Sequence, residues 1–70
     1  MKELCRLGAV IRERRKAAGL SQEELAERIG CHRNYVGYVE RGEHNVTYSM
    51  LRRFAAGFKC RLSDLIRQAE

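Results

Sequence analysis

Cys31 and His32 are adjacent, and His44 lies twelve residues beyond His32. These are the residue types that hold metals or make nucleophiles. A structural zinc site needs paired ligands at short spacing, and this arrangement does not supply them. No nucleophile stands beside a base in the way covalent catalysis requires. Cys31 reads instead as a small buried hydrophobe. The chemistry expected of the chain is therefore binding: no metal, no cofactor, no catalysis. Its sign comes from the charge balance. Fourteen Lys and Arg against nine Asp and Glu leave a net +5 on 70 residues. An excess of that size on a small folded unit points to a polyanion, nucleic acid before membrane.

The elements that would position such a surface are readable. A typical domain runs ~100–150 residues, so this chain is a single small one spanning 1–70. Apolar residues are 44%, charged residues 33% and Pro is absent, which is neither a disordered nor a low-complexity profile. Apolar runs are short, as in Ala9-Val10-Ile11, far below the ~20 residues of a membrane span. The N-terminal residues carry no adequate apolar region before the basic stretch of 11–16, so no secretory signal is expected. Three cysteines, Cys5, Cys31 and Cys60, are an odd count. They suggest free thiols in a reducing cytoplasm rather than a disulfide framework.

Punctuation falls at Gly19, Gly30 and Gly42, and the intervals have helical periodicity. The first helix is expected over about residues 4–18, burying Leu4, Leu7, Val10, Ile11 and Ala18. Gly19 stops it in the left-handed position. Ser21 then reads as an N-cap, with Glu24 completing a capping box. Leu25, Ala26 and Ile29 form the second helix's buried stripe, and Gly30 ends it. Cys31 or His32 starts the third helix, with Val36 and Val39 inward. Thr47 reads as the cap of a fourth helix carrying Leu51, Phe54, Ala55 and Phe58. A turn at Lys59-Cys60 leads to a fifth with Leu62, Leu65, Ile66 and Ala69. The expectation is an all-α domain of five helices. The second and third are joined by a tight turn at Gly30, with small Ala26 where they approach. That is the recipe for a helix-turn-helix over about residues 22–41, its recognition helix at about 33–41.

The segment GLSQEELAERIGCHRNYVGYVERGEHNVTYSML resembles the helix-turn-helix domain of phage Cro proteins, lambda-type repressors and many small bacterial regulators. The resemblance runs from about Leu7 to Ile66. It rests on Gln22, Leu25-Ala26, Ile29-Gly30, Val36, Val39-Glu40 and Arg41-Gly42. Within that family the stretch HRNYVGYVERGEHNVT looks most like the controller proteins of restriction–modification systems. The resemblance implies a five-helix, sequence-specific regulator of transcription. Arg33, Asn34, Gly37 and Tyr38 would face bases. Gln22, Arg41 and Asn45 would grip phosphate, and Tyr35 either packs or does the same. Arg15 and Glu40 match an ion pair between the first and third helices. The side-chain chemistry agrees: Arg fits guanine O6 and N7, and Asn fits the adenine N6/N7 edge. Gly37 either lets DNA approach or relieves crowding with the first helix.

One such unit reads few base pairs, so a homodimer on a pseudo-palindromic double-stranded site is expected. The fifth-helix stripe Leu62, Leu65 and Ile66 is its natural seam. No membrane and no small-molecule effector are expected. The competing reading is an antitoxin or antirepressor using the same fold to grip a protein. Three positions depart from the family pattern: Gly57 inside the fourth helix, Lys59 where glycine is usual, and Arg61 where a hydroxyl cap is usual.

Overall fold

The computed structural model describes residues 2–70. Five helices follow in order: α1 Lys2–Ala17, α2 Gln22–Ile29, α3 Arg33–Glu40, α4 Tyr48–Gly57 and α5 Leu62–Ala69. No strand occurs among the described residues. α1 starts earlier and stops sooner than its periodicity suggests. Ala18 falls in the turn and is exposed, not buried, because Gly19 at φ 72° already turns the chain away.

The caps explain why the short helices form where they do. Ser21 accepts from the Glu24 N–H at 3.0 Å while the Glu24 carboxylate accepts from the Ser21 N–H at 2.8 Å. Those bonds, the backbone one first, lower the Glu24 pKa below its usual value. α3 opens on His32, whose Nδ1 accepts the Asn34 N–H at 3.1 Å. An imidazole thus replaces the usual hydroxyl or carboxylate cap. Thr47 accepts from the Met50 N–H at 3.2 Å to start α4. Arg61 offers α5 no acceptor, and only the reverse bond forms, from the Arg61 N–H to Asp64 at 3.1 Å. Lys59 adopts φ 57°, the left-handed conformation that glycine takes without penalty.

The core comprises Ile11, Leu25, Ala26, Ile29, Val36, Val39, Phe54, Ala55 and Leu65. Phe54 lies at its centre, fully buried, with Phe58 stacked at a centroid distance of 6.3 Å. Gly57 is at the α2–α4 contact, where a Cβ would come within 2.6 Å of Ile29 Cγ2. Its place inside a helix is therefore a packing requirement. Leu65 is 0% exposed. It belongs to the interior of the single chain, contrary to its expected place on a surface seam. Leu62 is half-buried and Ile66 is 42% exposed.

Candidate nucleic-acid interface

α3 is held from below and displayed above. Val36 and Val39 anchor its inner face. At the α2–α3 turn, Gly30 sits at φ 76° and the Cys31 N–H reaches back to the Ala26 carbonyl at 2.9 Å. At the other end Gly42, at φ 73°, closes the helix. Its N–H bonds the Val39 carbonyl at 3.0 Å, and the Glu43 N–H bonds the Tyr38 carbonyl at 2.9 Å. This pair of bonds is a Schellman motif. α1 crosses the same end at backbone contact. A Cβ on Gly8 would lie 2.3 Å from the Val39 carbonyl oxygen and 2.6 Å from that of Glu40. Neither Gly8 nor its neighbours carry a local signal of this approach.

The expected ion pair is present and mostly buried. Arg15 Nε lies 2.6 Å from Glu40 Oε2, the two side chains being 12% and 3% exposed. Arg15 also donates to Glu40 Oε1 at 3.2 Å and to the Leu20 carbonyl at 2.8 Å. Glu40 has a further partner that the sequence does not announce. The Gln22 amide nitrogen donates to Oε1 at 3.1 Å. One carboxylate therefore fixes α1, the start of α2 and the end of α3 together. The Gln22 amide has a second hydrogen to give.

Outward from this frame, Gln22, Arg33, Asn34, Gly37, Tyr38 and Arg41 line one groove of about 460 Å³. Five side chains expected to contact phosphate or base thus join across two helices and the helix end, with Gly37 as floor. A Cβ on Gly37 would lie 3.1 Å from Arg41 Nη1 and 3.6 Å from Gln22 Oε1. Its neighbours are groove residues, so crowding with α1 does not explain it. Asn45 is exposed in the α3–α4 loop, outside the groove lining. Arg33 Nη1 stands 3.5 Å from Glu23 Oε2, both side chains well exposed.

The tyrosines do not pair with one another as simply as their spacing allows. His44 stands between them, its ring 4.9 Å from Tyr38 and 6.2 Å from Tyr35. Tyr35 also stacks on Phe54 at 6.4 Å, so the structure places its ring in packing contacts. Burial raises its phenol pKa, assisted by Cys31. Arg41 lies over the Tyr38 ring at 5.4 Å and donates to Glu43 at 3.1 Å. That bond to Glu43 is the main reason its guanidinium pKa is raised further. His44 matters here as a ring between rings, a role distinct from the metal chemistry for which its residue type is first weighed.

No cluster of three or more His, Cys, Asp or Glu side chains suited to a metal occurs among the described residues. None of their helices is long and apolar enough to cross a membrane. The family model described as "Helix-turn-helix domain" matches residues 6–67. The chain belongs to that family. Within it, restriction–modification controllers are among the proteins that it resembles. Control protein C.SmaI of Serratia marcescens is 56% identical over 41 residues, 59% of this chain and 49% of that protein. The match therefore spans about half of that relative's length. A transcriptional regulator of helix-turn-helix type, uncharacterized, from Archaeoglobus fulgidus is 36% identical over 55 residues, 79% of each chain. The crystal structure of restriction-modification controller protein C.AhdI from Aeromonas hydrophila superposes with a TM-score of 0.91. It is 40% identical, with 93% of this chain and 98% of that one covered.

Proposed function

We propose that this chain is a sequence-specific double-stranded DNA-binding regulator of transcription, of the restriction–modification controller kind, acting in the cytoplasm as a homodimer. The observation that carries the reading is the groove on α3. It gathers Arg33, Asn34, Tyr38, Arg41 and Gln22 on the exposed side of a helix locked at both ends. Arg33 and Asn34 read base edges, and Tyr38 offers a ring to a thymine methyl. Arg41, Gln22 and Asn45 hold phosphate and set the register. Tyr35 supports Tyr38 through His44, and its hydroxyl is a secondary phosphate donor. On this reading the protein works by occupancy and not by catalysis.

The dimer seam runs over α5 and the start of α4. Leu65 is removed from it by burial, which leaves Ile66 at 42% and Tyr48 at 67% exposure, with half-buried Leu62 between. A two-fold pair through this face would read two half-sites of an imperfect palindrome. Selection of bound duplexes from a random pool tests the whole reading. A pseudo-palindromic consensus is expected. Arg33→Ala and Asn34→Ala should each lose about 1–3 kcal/mol on it, at separate base positions. Variants that keep the full consensus preference would refute the assignment of α3.

A further inference from the structure

Arg41 is not free in the unbound protein. Gly37 leaves room for its guanidinium on the groove floor, with Nη1 3.1 Å from where a Cβ would stand. The Tyr38 ring supports it at 5.4 Å. The Glu43 carboxylate accepts its Nη2 hydrogen bond at 3.1 Å. Of these three neighbours only Glu43 carries charge. Its backbone is not loosely placed. Gly42 at φ 73° turns the chain back, and the Glu43 N–H closes onto the Tyr38 carbonyl at 2.9 Å. The lock that ends the recognition helix therefore also fixes the backbone from which this carboxylate reaches Arg41.

A carboxylate and a phosphate present the same thing to a guanidinium: anionic oxygens that accept its N–H groups. We propose that Glu43 is an internal competitor for the DNA phosphate at Arg41, held by the Schellman turn and displaced when the protein docks. The proposal rests on the reading of Arg41 as a phosphate contact and deepens it. On docking, Arg41 exchanges one anion for another, and Glu43 is left facing the polyanion. Both effects weaken binding to every duplex, whatever its sequence. The base-reading side chains Arg33 and Asn34 take no part in the exchange. Residue 43 thus sets the protein concentration at which sites fill, separately from which sites are chosen.

The pair is exposed, at 54% and 53%, and exposed pairs are weak. The effect is correspondingly modest, and substitution leaves the core untouched. The test is fluorescence anisotropy with two labelled duplexes, the selected consensus and a scrambled control. Four proteins are compared at moderate salt: wild type, Glu43→Gln, Arg41→Ala and the double variant. Distant charge effects are then screened within about 10 Å. Glu43→Gln should tighten binding to both duplexes about twofold to fivefold, and to a similar extent on each. In the Arg41→Ala background, where only the repulsion between Glu43 and the duplex remains, the same change should give a clearly smaller gain. An unchanged affinity for Glu43→Gln would overturn the proposal. So would a gain kept in full without Arg41, which would make Glu43 a general repulsive charge. Arg41→Ala binding both duplexes as tightly as wild type would instead remove the phosphate assignment of Arg41 itself.

Discussion

Gly8→Ala separates packing from helix propensity by the sign of its effect. Gly8 lies within α1, where alanine is better by about 1 kcal/mol on intrinsic grounds. The added methyl, however, would meet the Val39 carbonyl oxygen at 2.3 Å, the Glu40 oxygen at 2.6 Å and the Glu40 carbonyl carbon at 2.8 Å. Ordinary contact begins near 3.4 Å, so α1 must retreat by about 1 Å. The obstruction is backbone at the end of α3, which no rotamer change can relieve. Overpacking of this kind costs about 1–3 kcal/mol, and a rigid neighbour places it at or above the upper end. After the propensity gain, a net loss of about 2 kcal/mol remains. For a domain this small that is a fall of roughly 8–16 °C in melting temperature. Thermal unfolding followed by circular dichroism measures it directly. A melting point that rises, or stays within about 2 °C, would refute the close approach of α1 to α3.

Arg15→Ala should destabilise by about 2–4 kcal/mol, because it leaves a carboxylate only 3% exposed without its cation and with the neutral Gln22 amide still bonded to it. The paired change Arg15→Met with Glu40→Leu should cost less than the sum of the single changes, as urea unfolding of the full cycle would report. Ile66→Asp should yield a folded monomer in sedimentation, whereas Leu65→Asp should fail to fold, since Leu65 fills the core at 0% exposure. An Ile66→Asp protein that still sediments as a dimer would move the seam off α5. Cys5 is exposed, while burial raises the pKa of the Cys31 and Cys60 thiols. Fewer thiolates form at those two sites at a given pH, so mass spectrometry after brief alkylation at mild alkaline pH should find Cys5 modified first.

Features that depend on neighbours in the chain were legible in the residues. The Ser21–Glu24 box, the glycine stops and the inward Val36–Val39 pair are all local patterns, and each appears in the structure. The α2–α3 turn follows from them. Features made by distant contact were not legible. Gly8 looks like an ordinary weak point in a helix until Val39 and Glu40 are brought against it. The Gln22–Glu40 bond and the ring of His44 between two tyrosines have no signature in spacing. Leu65 and Ile66 show a further limit. Both are apolar and adjacent on an amphipathic helix, about 100° apart around its axis. Periodicity marks the apolar face but not which edge of it the core takes and which it leaves to solvent. The unusual Lys59 and Arg61 were visible as departures, and the structure gives their form: a left-handed lysine and a helix capped from one side only.

α1 touches both α3 and α5, and it meets the end of α3 with no side chain between the backbones. Packed interiors of this kind have low compressibility. If two copies join through α5 as proposed, the column α5–α1–α3 would behave as a stiff caliper, with the separation of its two reading tips nearly constant. Any mismatch with the natural spacing of the half-sites must be absorbed by the double helix, through bending, twist or a narrowed minor groove. Easily deformed steps such as TA or CA would accordingly be favoured in the central base pairs between the half-sites. The stiffness of one helix crossing, floored by Gly8, would in this way be written into the bases between the half-sites.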